Sequence, residues 1–341
     1  MENIYGYTIE MLEEYFTSIG EKKFKASQVY DWLYKKRVNS FDEMTNIGIS
    51  IREKLKTDFS MDKIKILTKQ QGNDVSKYLF GLSDNNKIEA VLMYHDYGTS
   101  LCVSSQVGCN MSCAFCESGR LKKVRNLEAY EIVEQVLLIE EAEKVRISHI
   151  VMMGIGEPFD NYDNVIRFIN IVNNDKGIAI GSRHITVSTC GIVPKIKEFS
   201  KLEKQVNLAI SLHASNDELR RKLMPIDKAY PLDLLMDTIK EYLKNDGRRV
   251  TFEYIMLKDV NDKEENALEL AKLIKGMNAY VNLIPYNETS HIEFKKSSKD
   301  TILKFYDILK KNGINVTIRR EFGSTVSAAC GQLRSNYEEG K

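Results

Sequence analysis

The chain of 341 residues has almost no net charge: 49 Lys and Arg against 48 Asp and Glu leave +1. No overall attraction to nucleic acid is therefore built in, and only local basic clusters could meet phosphates. These are Lys22, Lys23 and Lys25; Lys35, Lys36 and Arg37; Arg120, Lys122, Lys123 and Arg125; and Arg319 and Arg320. Most such runs are solvated faces, so charge does not decide the matter. Long apolar runs are missing too. The longest, HIVMMGIG at 149–156, falls far short of the ~20 residues of a bilayer-spanning helix. The acidic, amphipathic start MENIYGYTIEMLEEYF has none of the marks of a secretory leader. A cytoplasmic protein with no membrane association is expected. Internal repeats and low-complexity segments are absent. Without an export signal, the six cysteines point to metal or redox chemistry rather than to a disulfide framework. Hydrophobic content of 43% and charged content of 28% describe a soluble globular chain of one large or two smaller domains.

Three of those cysteines, Cys109, Cys113 and Cys116, form a Cys-x3-Cys-x2-Cys cluster. Thiolates are soft ligands suited to iron–sulfur clusters or zinc. Three ligands leave one position of a four-coordinate site open to a substrate or cofactor. The alternative is a zinc knuckle completed by His149, His184 or His213, although no histidine falls at ligand spacing nearby. The spacing is similar to that of the radical S-adenosylmethionine (SAM) enzymes. That resemblance implies three irons of one [4Fe–4S] cluster held by the cysteines, with SAM on the fourth.

Apolar spacing of three and four predicts helices over 8–19, 25–37 and 49–58, with Thr8 as an N-cap and Gly20 as a stop. Strands are expected at 63–68, 77–82 and 87–94. Together they make a small N-terminal α+β module over 1–94. From 95 to 325 the pattern alternates. Strands at 101–104, 147–153, 183–188, 205–211, 249–256 and 280–285 are separated by helices at 128–143, 161–173, 191–200, 216–222 with 231–244, and 263–275. A helix at 298–311 and a strand at 314–319 follow, and 326–341 forms a terminal segment carrying Cys330. Alternation of this kind argues for a parallel sheet covered by helices. Six units are too few for the closed eight-stranded barrel, so an open, partial (βα)6 barrel is expected, the architecture that radical SAM enzymes use. Ligands sit beyond the carboxyl ends of such strands. Candidate groups follow there in turn: Gly156 and Glu157 after the second strand, Ser188 at the end of the third, Ser211, Leu212 and His213 after the fourth, and Asn287 after the sixth. Each alone is more often structural. Their recurrence at successive strand ends favours a SAM site.

Longer stretches narrow the family. Cys102–Cys109, Met153–Pro158, Ser211–Ala214, Leu223–Ile226, Glu253–Leu257 and Ala329–Leu333 closely resemble the RlmN/Cfr family of radical SAM RNA (adenosine) methyltransferases. The likeness runs from about residue 20 to 335. It implies methylation of an adenosine carbon, C2 or C8, of 23S rRNA and for some members also of a tRNA. By the resemblance, Cys330 takes a methyl from one SAM and a second SAM supplies the radical that activates that methyl. Cys102 then resolves the protein–RNA thioether, leaving a transient Cys102–Cys330 disulfide. Glu89 matches the family's proton acceptor, and on sequence grounds alone it reads as an exposed strand carboxylate. Cys190 reads as a buried small hydrophobe. An electron donor such as flavodoxin or ferredoxin is implied. Tyr30, Trp32 and Tyr34 among Lys25, Lys35, Lys36 and Arg37 mark the N-terminal module as the place for RNA contacts. The sequence departs from the family pattern after Cys116, after Asn287 and before Ala328, so C2 and C8 both stay open. Two other classes compete. One is a radical SAM activase or peptide-modifying enzyme, which would need neither Cys102 nor Cys330. The other is a non-catalytic, zinc-stabilised RNA-binding protein.

Overall fold

The computed structural model describes residues 1–120, 122–246, 248–289, 291–320, 333, 334 and 337. Helix α1 (Ile9–Ser18) begins where the Thr8 hydroxyl accepts from Met11 N–H, and it buries Ile9, Leu12 and Phe16. Gly20, at φ +80°, ends the turn that follows. Helix α2 (Phe24–Asp31) widens into a single π-helical turn at Trp32–Lys36 and stops at Arg37, which takes the left-handed conformation. The expected helix over 25–37 is therefore two pieces. Tyr30 and Tyr34 face the core, while Lys36 caps the Trp32 ring at 3.5 Å. Helix α3 (Ile49–Asp58) completes the helical part.

Ten strands then build one sheet whose spatial order is their chain order. They are β1 (Lys65–Gln71), β2 (Val75–Gly81), β3 (Lys87–His95), β4 (Gly98–Cys102), β5 (His149–Met152), β6 (Ile185–Thr189), β7 (Asn207–Ser211), β8 (Val250–Met256), β9 (Ala279–Pro285) and β10 (Asn315–Ile318). Neighbours from β1 to β4 are antiparallel. From β4 onward every pair is parallel. Parallel neighbours need crossovers, and helices supply them: α4 (Ala129–Glu143), α5 (Tyr162–Asn173), α6 (Val193–Phe199), α7 (Asp217–Leu223) with α8 (Leu232–Asp246), α9 (Glu264–Ile274) and α10 (Lys299–Lys311). The six expected βα units are present, and β10 adds a further parallel strand at the edge.

Position 94/95 is not a seam in the sheet. β3 turns straight into β4, with His95 opposite Gly98, a hairpin far too short to act as a linker. One apolar core runs through both parts, from Ile4 and Phe16 to Val281 and Phe305. Arg37 also pairs with Glu140 of α4.

Where α4 packs against the N-terminal segment, Glu134 is fully buried, and among the described residues neither carboxyl oxygen has a hydrogen-bond partner. Burial pushes this carboxyl up to about 8, with Lys63 opposing the shift and Glu141 adding to it. The folded protein thus keeps a proton there that the unfolded chain releases above the ordinary glutamate range. Stability should fall as pH rises from about 4.5 to about 8. Glu134→Gln should flatten that part of a melting-temperature profile, and an unchanged slope would contradict the assignment.

Candidate active site

A cavity of about 320 Å³ opens at the carboxyl ends of the parallel strands. The loop after β4 brings Cys109, Cys113 and Cys116 to it, and Cys102, the last residue of β4, lines the same cavity. Gly156, Glu157, Ser188, Ser211, His213 and Asn287 join them from the successive strand ends. Leu212 does not: its side chain is fully buried in the main core. Cys330 lies outside the described residues.

The cysteine loop is seated on α7 by a backbone hydrogen bond, and α7 is held in turn by one buried ion pair. Ala114 N–H donates to Leu223 O at 2.8 Å. The fully buried Arg220 reaches from α7 to Cys190 O (2.7 Å) and to Asp227 (3.2 Å). Gly154 allows a close approach to the strand beside it, because a Cβ there would meet Val103 O at 2.6 Å. Gly156, at φ +110°, presses on Gln106 in the same way.

Burial pushes the Cys109 thiol up to about 12 and raises Cys113 as well. Such thiols keep their protons until a metal replaces them. Three soft donors on one loop, lining one cavity, fit a thiolate-held iron–sulfur cluster. The histidines do not complete a zinc site. His149 and His184 stack on each other at 4.4 Å beside the amino ends of β5 and β6. His213 accepts from Ile255 N–H through Nδ1 (3.1 Å), which leaves its proton on Nε2. Burial, helped by Arg220, pushes that imidazole down to about 3. Among the described residues, no three His, Cys, Asp or Glu side chains converge on a single ion.

Glu157 is buried, and its two oxygens accept from Phe159 N–H (3.0 Å) and Cys190 N–H (2.8 Å). It therefore ties the loop after β5 to the loop after β6 while facing the cavity. Cys190 is buried as expected, but it also lines the cavity. Glu89 is the clear correction. It is 3% exposed, paired with Lys77 on β2 at 3.0 Å and holding Arg334 N–H at 2.5 Å. Its face of the sheet is covered, and strand alternation alone could not reveal that cover. Lys77, Glu253, Arg319 and Arg320 also line the cavity and were not singled out as site residues. Glu253 sits within a quoted motif, and that was the available signal.

Comparison with known proteins decides the family. The Radical SAM superfamily profile matches residues 103–271, and the Ribosomal RNA large subunit methyltransferase N-terminal domain matches 2–61. A probable dual-specificity RNA methyltransferase RlmN from Spiroplasma citri is 54% identical, covering 99% of both chains. One from Enterococcus faecalis is also 54% identical over 98% of this chain and 96% of its own. The chain belongs to the RlmN/Cfr family of radical SAM RNA methyltransferases. A crystal structure of a radical SAM methyltransferase from Sphaerobacter thermophilus superposes with a TM-score of 0.90 at 39% identity, covering 97% of this chain and 99% of that one. As a radical SAM enzyme the chain uses a [4Fe–4S] cluster and SAM, and Cys109, Cys113 and Cys116 are the residues fit to hold that cluster. Among the described residues no helix is long and apolar enough to cross a membrane.

Proposed function

We propose that this RlmN/Cfr enzyme methylates C2 or C8 of an adenosine in 23S rRNA, and a tRNA adenosine as well. The relatives' own name, dual-specificity RNA methyltransferase, supports an RNA substrate of two kinds. The observation that carries the reading is that Cys102 lines the same cavity as Cys109, Cys113 and Cys116. A further thiol thereby faces the place where radical chemistry would start.

When bound, the reduced cluster supplies the electron that splits SAM into methionine and a 5′-deoxyadenosyl radical. The residues do the rest. Cys330, as thiolate, takes a methyl from a first SAM by displacement. Transfer of one hydrogen atom from that methyl to the 5′-deoxyadenosyl radical would leave a methylene radical able to add to an electron-poor adenine carbon. The adduct would then give up one electron to the oxidised cluster. Cys102 Sγ then attacks the Cys330 sulfur as the proton leaves the substituted carbon; the carbon–sulfur bond breaks, and the CH2 left on the adenine takes up a proton to become the methyl of the RNA. The resulting disulfide would be reduced by cytoplasmic thiols. Glu89 is one candidate acceptor for the proton and Cys102 the other. Glu89 Oε2 lies 3.0 Å from the Lys77 ammonium. Gly156, Glu157, Ser188, Ser211, His213 and Asn287 would hold SAM, and Leu212 would contribute only through its backbone. The apolar wall of Val75, Val91 and Met93 beside Cys102 keeps water from the thiol.

The helical N-terminal part would meet RNA phosphates, the terminal segment after 325 would deliver Cys330, and flavodoxin or ferredoxin would supply electrons in the cytoplasm. Mass spectrometry tests the reading. Anaerobically prepared protein should carry a methyl on Cys330, and treated RNA should yield 2-methyl- or 8-methyladenosine. Protein that cleaves SAM but never becomes alkylated at position 330 would overturn it.

A further inference from the structure

One row of polar side chains crosses the sheet at the level of the cavity. Ser211 on β7 lies in register with Glu253 on β8, Glu253 with Asn282 on β9, and Asn282 with Thr317 on β10. In-register residues of parallel strands project to the same side, so the row is a polar ribbon. Apolar groups such as Met152, Met153, Ile255 and Ile284 share the cavity wall with it. On β6, Ser188 Oγ extends the ribbon, 3.5 Å from Ser211 Oγ.

Hydrogen bonds are handed along it. Thr317 Oγ1 donates to Asn282 Oδ1 (3.3 Å), and Asn282 Nδ2 donates to Glu253 Oε2 (2.8 Å). There the relay stops. Glu253 is 4% exposed and lines the cavity, and among the described residues nothing donates to its Oε1. That oxygen faces the cavity, open to a donor from a bound ligand, and the Asn282–Thr317 support holds the group facing inward.

We propose that Glu253 accepts a hydrogen bond from an adenosine moiety bound in this cavity, from a ribose hydroxyl or the exocyclic amine. Both are donors suited to a carboxylate. The inference rests on the functional reading above, in which two adenosines enter the cavity: that of SAM and that of the target RNA. Arg319, beyond the end of the row, pulls the Glu253 carboxyl down against the stronger upward push of burial.

Binding measurements on the reconstituted holoenzyme separate the sources. Equilibrium dialysis reports SAM, and fluorescence anisotropy reports a labelled hairpin of 23S rRNA containing the target adenosine. Glu253→Ala should weaken one of the two by roughly tenfold or more. Glu253→Gln, which keeps shape and one acceptor, should fall between it and the native protein. Iron content and melting temperature should hold in Glu253→Gln. Loss confined to SAM supports the cofactor as the source, and loss confined to RNA supports the target nucleoside. Glu253→Gln and Glu253→Ala proteins that bind both ligands within twofold of native would overturn the proposal. So would equal losses for both ligands accompanied by a lowered melting temperature. Native protein that takes up neither cluster nor SAM would instead overturn the functional reading.

Discussion

A Cys102→Ala enzyme is expected to stall after a single turnover with RNA covalently attached through Cys330. Cys102 is 5% exposed at the end of β4, in register with Val91 on β3 and Val151 on β5. Around it the packing is apolar: Val75, Met93, Val91, Val151 and Met153. Replacing the thiol by hydrogen removes one sulfur from this largely apolar patch. The fold should tolerate it at a cost of about 1 kcal/mol. Chemistry before resolution does not use this sulfur, so adduct formation should proceed. A denaturing gel would then show the protein shifted by the mass of the RNA. Free methylated RNA released at the native rate would exclude Cys102 as the resolving thiol.

The second large effect concerns the support beneath the cysteine loop. Arg220 and Asp227 are both buried and 3.2 Å apart, and the Arg221 Nε is 3.4 Å from the other Asp227 oxygen. Removing one member of a buried pair leaves the other charge uncompensated, which costs about 3–5 kcal/mol. Arg221 should soften this to the lower end, so Arg220→Met is expected to lose about 3 kcal/mol. It also frees Cys190 O, the anchor beside the cavity. Denaturant unfolding of the apoprotein should register the stability loss, and iron content per chain should fall in parallel. Adding Asp227→Asn should recover part of the stability by removing the stranded charge. Full stability in the Arg220→Met protein would contradict the role given to the pair.

What could be foreseen in the sequence was local. The spacing of Cys109, Cys113 and Cys116 places three thiols on one loop whatever surrounds it. The helices over 49–58 and 299–311 follow their apolar periodicity almost residue for residue. β4 begins at Gly98, three residues before the expected start, because Gly98, Thr99 and Ser100 carry no apolar alternation and are recruited by pairing with β3. Cover and register were beyond reach. Glu89 alternates as a surface residue would, yet Lys77 and Arg334 enclose it. Leu212 sits between two cavity residues in the chain but points into the core. Asn282 meets Glu253 across β8 and β9, 29 positions apart, and no spacing rule announces that meeting.

The unbroken sheet has a practical corollary for anyone exchanging parts between members of this family. Lys77, Val91 and Cys102 stand abreast on β2, β3 and β4, so a splice near residue 94 would cut through the wall that carries Cys102. Residues 61–64, after the Phe59–Ser60 strand and before β1, are the better joint. Hybrids joined there should keep their thiol geometry whichever helical head they inherit.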